Sequence, residues 1–110
     1  MSDYKFSKTD GGSISNDQAK AWMKNYKDKH PAKDAVISRF IGTDMVNAVL
    51  NQDGCVGFRV YFGYDDAGQI QIFLVGSRAD GSNIWPGEAG SGPNAILADG
   101  TMPCPPYCPQ

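Results

Sequence analysis

The sequence predicts an α+β fold, with two or so helices on one face of a mostly antiparallel sheet of three to four strands. An irregular C-terminal tail rich in proline and glycine follows. Three observations carry this. Apolar residues recur with helical spacing before residue 30, they alternate strictly in two runs after residue 55, and composition changes at residue 86. The chain of 110 residues is short enough for one core. It reads as an N-terminal arm over 1–13, an α+β domain over 14–85, and a tail over 86–110. That tail holds six of the seven prolines and two of the three cysteines.

Taken in order, the arm is polar and ends in Gly11-Gly12-Ser13, which reads as mobile or late to dock. Ser15 with Gln18 three residues on is a capping box, with Ile14 placed to begin a hydrophobic staple. Ala19, Trp22, Met23 and Tyr26 then share one helical face, and His30-Pro31 ends the helix. Residues 35–41 fit either a helical face, with Gly42 as its C-terminal cap, or a short buried strand. The strand is preferred, because the run is mostly β-branched or aromatic. Thr43 can cap a second helix through Met45, Val46, Val49 and Leu50, closed by Gly54.

A β-hairpin follows, and its register can be derived. Val56, Phe58, Val60, Phe62 and Tyr64 alternate on one face, as do Ile70, Ile72 and Leu74 on the return strand. A three-residue loop, Asp66-Ala67-Gly68, with glycine in the left-handed position pairs Asp65 with Gln69. Phe62 then opposes Ile72, and Val60 opposes Leu74, so both apolar sets share the face expected to lie under the helices. A second such turn, Ala79-Asp80-Gly81, pairs Arg78 with Ser82 and adds an edge strand from Ser82 to Trp85, stopped by Pro86. The same arithmetic places Trp85 opposite Val75, and Ile84 on the core face.

The other sheet face carries Gly57, Arg59, Tyr61 and Gly63, then Phe73 and Val75, then Asn83 and Trp85. The two glycines leave depressions beside Arg59 and Tyr61. A guanidinium there can stack on an aromatic ring or offer its fork to a carboxylate or phosphate. Arg59, Tyr61, Phe73 and Trp85 are therefore the candidate ligand-binding residues. In the opposing reading, tail residues Ile96, Leu97, Met102 and Tyr107 bury these aromatics, and Arg59 bridges to a backbone carbonyl or to Asp99.

The run Phe40-Ile41-Gly42, the segment from Val49 to Gly63 with its Cys55-x-Gly57-x-Arg59-x-Tyr61-x-Gly63 strand, and the ending Cys104-Pro105-Pro106-Tyr107-Cys108 resemble a group of small uncharacterised bacterial proteins. The resemblance covers roughly residues 35–85 and the tail. It favours a strand at 35–41 and implies no activity.

Three cysteines, an odd number, behind a start without a signal-peptide pattern argue against a secreted disulfide framework and point to the cytoplasm. Cys104 and Cys108 enclose three residues, not the two of a redox Cys-x-x-Cys. An extended Pro-Pro path would hold their Cα atoms ~12 Å apart. A disulfide needs them within about 7 Å, so the tail would have to turn sharply. Zinc is the alternative cofactor, with Cys55, Cys104, Cys108 and His30 as its ligands, although no second close pair faces Cys104 and Cys108. Otherwise no cofactor is expected, and the cysteines are inert.

The remaining motifs are thin. Gly90-x-Gly92-x-x-Ala95 lacks the strand and helix that a dinucleotide site needs. Asp65, Asp66 and Asp80 sit where turns want aspartate. Ten basic against twelve acidic residues give a net charge of −2, which disfavours nucleic acid as a partner. Seven of the ten cations lie in the first 33 residues, interleaved with aspartates as on a solvated helix face, and no apolar run could span a bilayer. The expectation is a small non-enzymatic binding or protein-interaction module using the outer sheet face. The alternative is a thiol-redox or zinc-binding protein acting through the tail. An uncovered edge at 82–85 would invite a homodimer.

Overall fold

The computed structural model describes residues 4–87, 97–98 and 101–109. It is α+β, with helices α1 (Asn16–Lys29) and α2 (Thr43–Leu50) and strands β1 (Ser38–Phe40), β2 (Cys55–Tyr64), β3 (Ile70–Arg78), β4 (Leu97–Ala98) and β5 (Met102–Cys104). The strands form two antiparallel sheets, β2-β3-β4 and β1-β5, where one sheet was expected. The chain divides into two compact units, Met1–Asp10 with Ile41–Thr101, and Gly11–Phe40 with Met102–Gln110.

In the first unit the hairpin has the derived register. Phe62 pairs with Ile72, Tyr61 with Phe73, Val60 with Leu74 and Arg59 with Val75. Its turn closes through Asp65 N–H to the Gln69 carbonyl at 2.9 Å, with Gly68 at φ 80°. One irregularity departs from prediction, a bulge at the start of β2, where Cys55 and not Val56 pairs with Arg78. The second turn also forms as derived, with Arg78 N–H donating to the Ser82 carbonyl at 2.8 Å and Gly81 at φ 91°. The expected edge strand from Ser82 to Trp85 shrinks to one bridge, Ser77 to Asn83. The chain returns instead as β4, which takes the place beside Leu74 and Val75, so Leu97 rather than Trp85 opposes Val75.

The helix α2 starts one residue earlier than its predicted cap, on Gly42, with no side-chain capping bond. Glycine serves at this position about as well as threonine, so Thr43 is free to be the first helical residue. It ends at Leu50 with Asn51 as its cap, ahead of the predicted Gly54. Val49 and Leu74 form a buried cluster, joined by Ile41 and Val46. Eight residues of helix extend only about 12 Å, against roughly 33 Å for a ten-residue strand. Among the described residues, α2 therefore covers the predicted core face at one end alone. Phe62 is 72% exposed, Tyr64 80%, Val60 42% and Phe58 40%.

In the second unit, Ser15 caps α1 as expected, its hydroxyl accepting from Gln18 N–H at 3.1 Å. No α1 residue is buried, and Trp22, Met23 and Tyr26 all stay exposed. The strand reading of 35–41 holds for Ser38–Phe40, which pairs with β5. Cys104 and Cys108 are disulfide-bonded with Cα atoms 4.5 Å apart, and the Cys104–Pro105 and Pro105–Pro106 peptide bonds are cis. The expected tail cover by Ile96 and the carboxylate of Asp99 lie outside the described residues, as does the glycine motif at 90–95.

Candidate functional site

The face opposite the exposed stripe is where polar and aromatic groups converge. Odd-numbered residues of β2 point to it, and the register brings Tyr61 beside Phe73 with ring centroids 5.4 Å apart and planes at 15°. Trp85 joins at 5.9 Å from Tyr61, tilted by 40°. Asn83 ties this group together, donating from Nδ2 to the Tyr61 hydroxyl and accepting at Oδ1 from Ser77 Oγ at 3.1 Å and from Arg59 Nη1. Three of the four predicted binding residues, Tyr61, Phe73 and Trp85, thus form one half-buried stack.

Arg59 stands at the other end of the face. Its Nη1 also donates to the Gly81 carbonyl at 3.2 Å, and its Cζ lies 5.2 Å from the centroid of the Phe6 ring. The carbonyl bridge was one of the two expectations for this residue. Among the described residues no carboxylate pairs with the guanidinium. Both protein hydrogen bonds leave from Nη1, so the Nε and Nη2 donors keep their capacity, and none of them is a buried orphan.

The N-terminal arm completes the site, which its composition alone did not reveal. Phe6 N–H donates to the Ala79 carbonyl at 2.7 Å, and Tyr4 packs edge-on against Phe6 at 4.8 Å. A tight turn follows, with Ser7 N–H on Asp10 Oδ2 at 3.1 Å. Hydrogen bonds from Tyr4 and Ser7 hold the Asp10 carboxyl below its ordinary range, and Tyr4 is pushed up by the same contact. The alternation of Tyr4 and Phe6 is the one signal in the sequence that a docked, extended arm was present.

Between arm and sheet lies an open cavity of about 660 Å³, lined among others by Ser7, Lys8, Cys55, Gly57, Arg59 and Ser77. Gly57 opens it, since a Cβ there would meet nothing within 4 Å. A Cβ at Gly63 would likewise meet nothing within 4 Å, so the face is open there too, and of the two glycines it is Gly57 that lines the cavity. The cavity gathers two cations, Lys8 and Arg59, against one carboxylate, Asp10. Cys55, a free thiol, turns its Sγ to the Gly57 carbonyl at 3.0 Å.

The alternative ligand set is not assembled. Cys104 and Cys108 spend their sulfurs on each other, and His30 stacks on Tyr26 at 4.2 Å with Nδ1 3.0 Å from the Tyr26 carbonyl. Among the described residues no group of three or more His, Cys, Asp or Glu is placed to hold a metal ion. No helix among them is long and apolar enough to cross a membrane. No protein-family model, curated protein or solved structure matches this chain, so the reading of the site rests on its own geometry.

Proposed function

We propose that this protein is a small non-enzymatic binding module that takes an anionic ligand, a carboxylate or a phosphate, in the cavity beside Arg59. The observation that carries this is a guanidinium with no carboxylate partner among the described residues, on the wall of an open cavity that Lys8 and the hydroxyl-bearing Ser7 and Ser77 also line. Nε and Nη2 form the edge of a guanidinium that grips an oxyanion with two parallel hydrogen bonds. Phe6, Gly81 and Asn83 fix the group from behind, so little rotamer entropy is lost on binding. The stack of Tyr61, Phe73 and Trp85 is then the support of the site. A net charge of −2 leaves nucleic acid and anionic membrane surfaces outside this reading.

Calorimetric titration with inorganic phosphate, pyrophosphate and citrate tests it. Arg59→Lys keeps the charge but loses the fork, and should weaken binding about tenfold. Gly57→Val fills open space and should do the same with little change in melting temperature. Absence of heat with every probe, or wild-type affinity in both variants, would sink the proposal.

A second reading is favoured by the Cys104–Cys108 bond. We place the protein in the cytoplasm, where disulfides that occur are mostly transient. An external thiolate would attack the exposed Cys108 sulfur and expel the buried Cys104 as thiolate. A second thiol of the reductant then resolves the mixed disulfide, so two electrons and two protons pass to the tail. Zinc binding would require that reduced state. Rapid alkylation of cells before lysis decides this reading, since a tail found permanently oxidised removes it.

A further inference from the structure

We infer that the free edge of β2 pairs antiparallel with the same edge of a second copy of this chain, with Val60 on the two-fold axis. The strand β2 is terminal in its sheet, and among the described residues nothing else bonds to its backbone from Phe58 to Tyr64. The Asp65–Gln69 bond and the register show that odd-numbered residues of β2 exchange hydrogen bonds with β3. Phe58, Val60, Phe62 and Tyr64 therefore aim their N–H and C=O groups at the open edge. The same four carry the exposed apolar side chains.

A long, flat, apolar edge is a template for another strand. Beyond the bulge at Cys55/Gly57 the devices that protect edges are sparse, for Phe58–Tyr64 contains no proline, lysine or acidic residue, and Arg59 is its one charge. That charge also selects the register. A two-fold axis normal to the sheet keeps both apolar faces on one side and requires opposing numbers to have an even sum. Of the two even registers that overlap the strand most fully, one sets Arg59 directly against its own copy, a destabilising pair of like charges. The other sets Phe58 against Phe62 of the second copy, an aromatic pair, and Arg59 against the backbone position of its Tyr61, which keeps the two like charges apart. Neutrality elsewhere lets the two edges meet without repulsion.

Area sets the strength. Phe58, Val60, Phe62, Tyr64 and Ile70 together leave on the order of 500 Å² of apolar surface open, at the high end for a lone soluble chain. Two copies bring about 1,000 Å², near the minimum for a specific interface, and edge pairing covers only part of it. The dimer is accordingly weak and concentration-dependent.

Sedimentation velocity of the full chain over a concentration series tests this. The mass should rise from 11.9 kDa towards twice that value. Exchange of the Phe58, Val60 and Phe62 amides should slow at the same concentrations. Val60→Lys, and separately Phe62→Lys, should stay monomeric with an unchanged circular dichroism spectrum. Val60→Lys should also keep its affinity for anions, which separates this inference from the proposed ligand site. A wild-type monomer at every concentration overturns the inference, as does a dimer indifferent to both substitutions. So does growth beyond two copies, because the proposed contact closes on itself.

Discussion

Arg59 shows how one residue can serve structure and function through different atoms. Its Nη1 locks the second turn by way of Gly81 and Asn83, and its ring contact holds Phe6 in place. The turn it locks is itself held by Asp80, whose carboxylate accepts from Ser82 N–H at 2.9 Å and Ser82 Oγ at 2.7 Å. Those bonds, the side-chain one foremost, hold the Asp80 carboxyl below its ordinary range. A carboxyl lowered on folding contributes stability that is complete above its unfolded pKa and is lost as pH falls through the folded one. Acid should therefore loosen the turn only below the ordinary carboxylate range, seen as lost protection of the Ser82 amide, and Asp80→Asn should flatten that dependence. Persisting protection in acid would show that the turn stands without Asp80.

At the scale of elements, the second turn and the arm form one device. Gly81 is left-handed, and a Cβ there would stand 2.8 Å from Phe6 Cε2. Gly81→Ala should cost about 1–2 kcal/mol from backbone strain alone. It should also free the arm, read as faster proteolysis before residue 10. The register of the hairpin was readable from residue parity and loop length together, because two independent constraints agree on one pairing. The extent of the outer strand was not, because nothing in Ser82–Trp85 reveals that a later segment takes its place beside β3. The arm reads as mobile or late to dock because its composition is polar, and its one docking signal, Tyr4 and Phe6, is too short to register as a pattern.

At the scale of the whole molecule, the cover over the sheet decides which face is core. The alternation of Val56 to Tyr64 shows that one face is apolar, but the length of α2 determines how much of it is hidden. Leu74 is 2% exposed beneath α2, whereas Phe62, on the same face, is 72% exposed. Leu74→Ala should cost roughly 2–5 kcal/mol, and Phe62→Ala should change stability by less than about 0.5 kcal/mol. Equal costs in denaturant unfolding would mean that the stripe is covered along its length. The ligand-binding set was half legible. Arg59, Gly57 and Asn83 follow from strand parity and the second turn, while Lys8 and Ser7 come from an arm whose docking no local pattern encodes.

The most direct test of the account is a nuclear magnetic resonance titration of the labelled protein with inorganic phosphate, followed at backbone amides and at the arginine Nε–H. Saturable shifts are expected, confined to Ser7, Lys8, Gly57, Ser77 and the Arg59 Nε–H, with Phe62 and Tyr64 unmoved. Shifts scattered over the lysines of α1, or none at Arg59, would contradict it.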